Sequence, residues 1–266
     1  MPDLPAARLR TLDFAGGVAA GAAALDLLCV APHPDDAELG MGGTLAREAA
    51  RGLQVGVLDL TTGTMATNGT PEVRLEESAA ASVLLGLRWR GNLGLPDRGL
   101  EGADCAAALA GALRLLRPAV VFIPCPDDPH PDHAAAFRLS MEAIFSAGLR
   151  RFPVPEWAAP AAFRPRAVLQ YFINGWRDPA LALDVSAVYE VKRRSIAAHA
   201  SQFRFASTPT DPGAPTRLNS GAAAAQVEAR DRFLGAQLGA DFAEGFIPAR
   251  TLLVRDTDGW FGGDRS

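Results

Sequence analysis

The residues able to do chemistry are concentrated in two short stretches. "PHPDDAE" (Pro32–Glu38) and "PDDPHPDH" (Pro126–His133) together hold three of the four histidines and six carboxylates. A histidine and a carboxylate three residues apart, joined by a distant histidine, make a sufficient ligand set for a divalent ion. Catalytic zinc sites use three protein ligands and keep a position open for water. Such a water has a pKa near about 7 and is a nucleophile at neutral pH. A second carboxylate beside it can take its proton. His33, Asp36 and His133 offer the ligands, Asp35 the base, and His130 a further, unligated imidazole.

Each stretch also has a plainer reading. Proline and aspartate form turns, so "HPDD" alone could be a turn. "HPDH" alone could open a helix with Asp132 as its cap. Their joint occurrence at equivalent ends of two strands makes the metal reading the stronger one. His33, Asp35 and His133 also spell the two-histidine, one-carboxylate triad of non-haem iron oxygenases. Those usually sit in a jelly roll, and an oxygenase leaves Asp36 and His130 without work. Cys125 could be a soft ligand but reads better as a buried thiol. His199, on a helix, reads as packing or surface. Glu38 either hydrogen-bonds a ligand or simply begins a helix.

The elements that must position these residues alternate. Apolar runs at 25–31, 54–63, 88–95 and 119–125 read as strands. Between and after them, 43–53, 71–87, 106–118 and 133–149 read as helices, with Gly or Pro at their ends. Strand-helix alternation predicts an α/β fold, a Rossmann-like, mostly parallel sheet with helices on both faces. Ligands of such sheets sit beyond the carboxyl ends of the strands, which is where both motifs fall. Further on, 167–173 and 180–186 read as strands and 187–203 and 220–239 as helices. Residues 206–220 read as a Pro/Ser/Thr loop.

The totals fit one soluble domain at 25–266, preceded by a loosely ordered extension at 1–24. The Ala/Gly-rich start resembles a signal peptide only superficially, because Asp26 interrupts the apolar run. The formal net charge of −4, with both signs interspersed, argues against nucleic acid as a partner. No run reaches the roughly 18 apolar residues of a membrane span. Three cysteines without a CxxC pair suit a reducing compartment, so a cytoplasmic location is expected.

"APHPDD" after a first strand, with "HPDH" about a hundred residues later, resembles the LmbE/PIG-L family of metal-dependent N-acetylglucosamine deacetylases. The likeness runs from about Leu25 to Phe246. Stretches such as "GMGGTLA" (Gly40–Ala46), "NLGLPDRGL" (Asn92–Leu100), "YFINGW" (Tyr171–Trp176) and "FAEGF" (Phe242–Phe246) look closest to the bacillithiol-biosynthesis deacetylases. The resemblance implies zinc on His33, Asp36 and His133, with Asp35 as general base. It implies His130 as the imidazole that stabilises the oxyanion and helps protonate the leaving amine. It also implies substrate contacts from the region of Arg74 and Asp97, and N-acetylglucosaminyl malate as substrate. A homo-oligomer follows from the resemblance too. Two departures are the extended N-terminus and "TTGTM" (Thr61–Met65), which lacks an acidic residue often found there.

Ligands at i and i+3 can face one ion, which displaces the intervening Asp35 sideways toward the open position. A malate glycoside carries two carboxylates, so its pocket needs cations. Arg74 and Arg98 are the candidates, ahead of Arg177 and Arg194. The ion could be zinc or ferrous iron, since two histidines and an aspartate suit both. Competing readings are a related hydrolase acting on another N-acyl sugar or a thiol-conjugate amide, and a non-catalytic metal- or sugar-binding protein. Binding alone requires neither Asp35 nor His130, which weighs against the last.

Overall fold

The computed structural model describes residues 8–20, 24–203 and 215–252. Eight strands form a single sheet: β1 (Arg10–Thr11), β2 (Leu27–Ala31), β3 (Val55–Thr61), β4 (Trp89–Leu95), β5 (Val120–Pro124), β6 (Ala167–Tyr171), β7 (Leu181–Asp184) and β8 (Ala243–Pro248). Their order across the sheet is β1-β4-β3-β2-β5-β6-β8-β7. The five strands from β4 to β6 run parallel. Strand β1 is antiparallel to β4, and β8 is antiparallel to both β6 and β7.

Among the described residues six α-helices pack on this sheet: α1 (Asp36–Ala50), α2 (Pro71–Leu85), α3 (Ala103–Leu116), α4 (Pro131–Ala147), α5 (Tyr189–Ala198) and α6 (Ala222–Leu238). Because β2, β3 and β5 are buried on both faces, each face has its own core. Leu109, Leu113, Leu139 and Ile144 of α3 and α4 meet Val30, Leu58 and Ile123 on one side. Leu39, Leu45, Ile196 and Val227 of α1, α5 and α6 meet Cys29, Val57 and Phe122 on the other. The single α/β domain with a mostly parallel sheet and helices on both faces is therefore the fold observed. No helix among the described residues is long and apolar enough to cross a membrane.

From β2 the chain moves to β3 and β4 on one side, then returns to place β5 on the other. The carboxyl ends of β2 and β5 thus flank the point where strand order reverses, the crevice where open α/β sheets bind ligands.

Three features differ from the sequence expectation. Within the segment expected as an extension, Arg10 pairs with Asn92 and Thr11 with Gly91 as an edge strand. Strand β8 has no alternating pattern and carries a buried Glu244, so its sequence does not announce a strand. Helix α1 begins at Asp36 rather than Gly43, but it is kinked at Met41 (φ −151°, ψ 27°). The expected start is where the helix resumes. Of the loop expected at 206–220, residues 206–214 lie outside the described residues.

The kink leaves amides without intrahelical acceptors, and Glu244 supplies them. The Gly43 amide donates to its Oε1 (2.9 Å) and the Thr44 amide to its Oε2 (2.6 Å). Lys192, the only lysine in the chain, donates to Glu244 Oε1 and Asp231 Oδ2, each at 2.6 Å. All three charged groups are buried. Removing one member of a buried charge set costs about 3–5 kcal/mol because its partners lose their compensation. Lys192→Met is therefore expected to lower unfolding free energy by about that amount in urea titration. A loss typical of a surface pair, below about 1 kcal/mol, would show that the network does not hold α1 to β8.

Candidate metal centre and substrate cavity

Leaving β2, the chain turns through His33 and Pro34 and enters α1 at Asp36. Leaving β5, it passes Asp127 and Asp128 and enters α4 at Pro131. His130 is the N-cap residue of α4, and its Nδ1 accepts the Asp132 amide at 3.2 Å. The capping role considered for Asp132 therefore belongs to His130. Proline at the first helical position has no amide to leave unpaired, which suits "HPDH" to a helix start.

The two motifs meet at one atom. Asp36 Oδ2 lies 3.0 Å from His33 Nδ1 and 3.2 Å from His133 Nε2. Donors of a tetrahedral zinc site, with bonds of about 2.0–2.1 Å, stand about 3.3 Å apart. These spacings and this N₂O chemistry fit a divalent ion. His130 adds a ring nitrogen, so that donor atoms of His33, His130 and His133 all lie within 4.8 Å of one another. Its Nδ1 is occupied by the Asp132 amide, which leaves Nε2 free.

Carboxylates also hold the outer nitrogens. Asp132 Oδ2 lies 3.2 Å from His33 Nε2, and Asp128 Oδ1 lies 3.0 Å from His133 Nδ1. Such partners fix the tautomer and orientation of a ligating imidazole. Asp128 in addition accepts the amides of His130 (2.9 Å), Asn174 (2.8 Å) and Gly175 (3.1 Å), tying the segment after β6 to this centre. Asp128 and Asn174 are not among the residues the motifs single out. Its place among the three carboxylates of "PDDPHPDH" is the sequence signal for Asp128.

The electrostatics follow from these contacts. Burial opposes charge on His33 and His133, but Asp132 and Asp36 lift the first to about 9, and Asp36 and Asp128 lift the second to about 10. Burial also works against the Asp36 carboxylate, yet the two imidazoles hold its pKa well below the ordinary range. Burial lowers the His130 imidazole, and its histidine neighbours push the same way. A cation entering this set competes with protons for the same nitrogens.

Asp35, adjacent to Asp36, touches neither ligand imidazole. Its backbone is left-handed (φ 110°), a strained conformation for a non-glycine residue. Oδ2 receives Arg74 Nη2 at 3.0 Å, and the same nitrogen also donates to the Pro34 carbonyl. Burial pushes the Asp35 carboxyl up to about 6 against the pull of Arg74. Gly63, at φ +70°, makes room for this arginine, because a Cβ there would collide with Arg74 Nη1.

Glu38 neither touches a ligand nor merely opens the helix. It is fully buried and accepts from Arg90 Nη1 at 2.5 Å, while Asp59 accepts from Arg90 Nε at 2.9 Å and Nη2 at 3.0 Å. His199 is buried beside it, with Nε2 3.5 Å from Glu38 Oε2. Cys125 is a buried thiol, as are Cys29 and Cys105.

A cavity of about 410 Å³ opens over the centre and is lined by all eight residues expected at the site: His33, Asp35, Asp36, Arg74, Asp97, Arg98, His130 and His133. Asp97 Oδ2 accepts the Met65 amide (2.7 Å) and the Thr64 hydroxyl (3.2 Å), while its Oδ1 is buried with no partner. Arg98, half exposed, donates its amide to Asp132 Oδ2 at 3.0 Å. Arg177 instead pairs with Asp127 at 3.0 Å, and Arg194 is exposed outside the cavity lining.

Fold and site together define an α/β protein with a histidine-carboxylate donor set at the switch point of its sheet. Residues 28–144 match the family model described as PIG-L, GlcNAc-PI de-N-acetylase. A diacetylchitobiose deacetylase of Thermococcus kodakarensis is 33% identical over 189 residues, 66% of this chain and 70% of that protein. A 1D-myo-inositol 2-acetamido-2-deoxy-α-D-glucopyranoside deacetylase of Rhodococcus opacus is 31% identical, over 70% of this chain and 84% of that one. Among solved structures, a conserved protein of Thermus thermophilus superposes with a TM-score of 0.76 at 43% identity, covering 87% of this chain and 98% of that chain. The chain belongs to the PIG-L family of deacetylases.

The contrast between the adjacent aspartates predicts different metal contents. After dialysis against zinc, elemental analysis is expected to find Asp35→Asn loaded like the parent and Asp36→Ala empty. An empty Asp35→Asn beside a loaded Asp36→Ala would exchange the two assignments.

Proposed function

We propose that this protein is a zinc-dependent N-deacetylase that removes the acetyl group from an N-acetylglucosamine glycoside, with N-acetylglucosaminyl malate of bacillithiol biosynthesis as its substrate. The observation that carries the reading is the division between the neighbouring aspartates, one between two imidazoles and the other held beside them by an arginine. The names of the relatives supply the acetamido-sugar class. The buried, unpaired cysteines accord with a reducing compartment.

His33, Asp36 and His133 would hold the ion. Bound there, a divalent cation supplies a Lewis acid for the acetamide carbonyl and lowers the pKa of a water. Arg74 fixes Asp35 Oδ2, which leaves Oδ1 to accept the proton of the attacking water. His130 keeps its hydrogen on Nε2, because Nδ1 accepts the Asp132 amide. From there it donates to the oxygen that gains charge as the carbonyl carbon becomes tetrahedral, and the proton that Asp35 took from the water passes to the nitrogen as the C–N bond breaks. Acetate and a free amine leave. Asp97 and Arg98, which line the cavity, would contact the sugar and its aglycone. A second reading, a two-sugar substrate, is favoured by the Thermococcus relative and by a cavity roomy enough for two rings.

Release of free amine from N-acetylglucosaminyl malate, diacetylchitobiose and N-acetylglucosamine by zinc-loaded protein tests the proposal. The malate glycoside is expected to give the highest kcat/KM, and turnover of none of them would sink the reading. Asp35→Asn is expected to lower kcat by about 10²–10⁴ with metal content unchanged. A kcat within a fewfold of the parent would remove Asp35 as the base.

A further inference from the structure

Three arginines line the cavity, and they differ in what meets their charge. Arg74 is buried, and the Asp35 carboxylate receives it at 3.0 Å. Arg98 stands 3.8 Å from Asp132 Oδ1. Arg217, on the segment that leads into α6, has no carboxylate partner among the described residues. Its guanidinium donates to Oε1 of Gln226, a neutral acceptor. Among the described residues it is therefore the cavity cation whose charge no carboxylate meets.

Arg217 is nonetheless placed with respect to the reacting centre. Gln226 Nε2 donates to the Asn174 carbonyl at 3.3 Å, and the Asn174 amide is held by Asp128 at 2.8 Å. Asp128 in turn receives His133 Nδ1 at 3.0 Å. A chain of hydrogen bonds thus runs from a proposed metal ligand to the guanidinium. Leu39, Met65 and Leu218 line the same cavity beside it. Arg217 is exposed on the outer side of a cavity whose buried lining holds Asp35, Asp36, Asp132 and Arg74.

We propose that Arg217 is a specificity-determining residue that binds a carboxylate on the aglycone, so that the enzyme prefers acidic over neutral N-acetylglucosamine glycosides. The proposal rests on the deacetylase reading above and adds to it a residue that neither motif contains. A guanidinium-carboxylate pair is the charge-assisted contact that discriminates between such substrates.

The test compares zinc-loaded parent and Arg217→Gln on N-acetylglucosaminyl malate and on neutral methyl N-acetylglucosaminide. The variant is expected to raise KM for the malate glycoside about tenfold or more, with kcat little changed and the methyl glycoside unaffected. Added salt is expected to raise KM for the malate glycoside in the parent more than in the variant. A parent that prefers the neutral glycoside, or a variant with the same substrate ratio as the parent, overturns the proposal while leaving the deacetylase reading in place. If neither glycoside is hydrolysed, that reading fails. Calorimetric titration of the malate glycoside then decides the proposal: weaker binding by Arg217→Gln supports it, and equal binding overturns it.

Discussion

A single buried oxygen, Oδ2 of Asp36, is the contact on which the rest of the site depends. A carboxylate taken out of water is costly unless charged or hydrogen-bonding partners surround it. Here the partners come from two places, His33 on its own turn and His133 from the far motif. They can meet only if β2 and β5 are neighbours whose carboxyl ends point the same way. Asp36 also sits in the first turn of α1, where the helix dipole favours negative charge. Parallel pairing, helix start and donor set are thus one constraint seen at three scales.

The same helix is held by charge along its length. Arg74 meets Asp35, Arg90 meets Glu38 and Asp59, and Lys192 with Glu244 caps the segment after the kink. Each cation comes from a different element, namely α2, β4 and α5. Buried pairs contribute less net stability than well-packed apolar groups of the same size, but they are exacting about geometry. A helix fixed from three sides presents Asp35 and Asp36 at defined angles. The strained backbone at Asp35 is sustained because its surroundings hold it there.

Much of the centre was legible because its chemistry is carried by residue types that are rare in the chain and clustered at strand ends. The parallel core was legible for a similar reason, since strands buried on both faces read as short apolar runs. What escaped depended on partners distant in sequence. Asp128 and Asp132 are visible as acids, but nothing local says that they hold the outer nitrogens of His133 and His33. Arg74 reads as a free cation until Gly63 brings its guanidinium against Asp35. Arg90 and Asp59 lie within the stretches read as strands, but nothing local pairs them with each other or with Glu38. Strand β8 left no trace, because its buried glutamate answers to a helix kink two hundred residues earlier.

The fate of Lys192 has a consequence for handling the molecule. With its one lysine enclosed between two carboxylates, the folded chain shows solvent no side-chain primary amine. Amine-directed labels and crosslinkers have no side-chain target until the structure opens. Lysine reactivity therefore becomes a direct gauge of unfolding. An amino sugar formed in the presence of the intact protein can likewise be labelled with little contribution from the protein's own side chains.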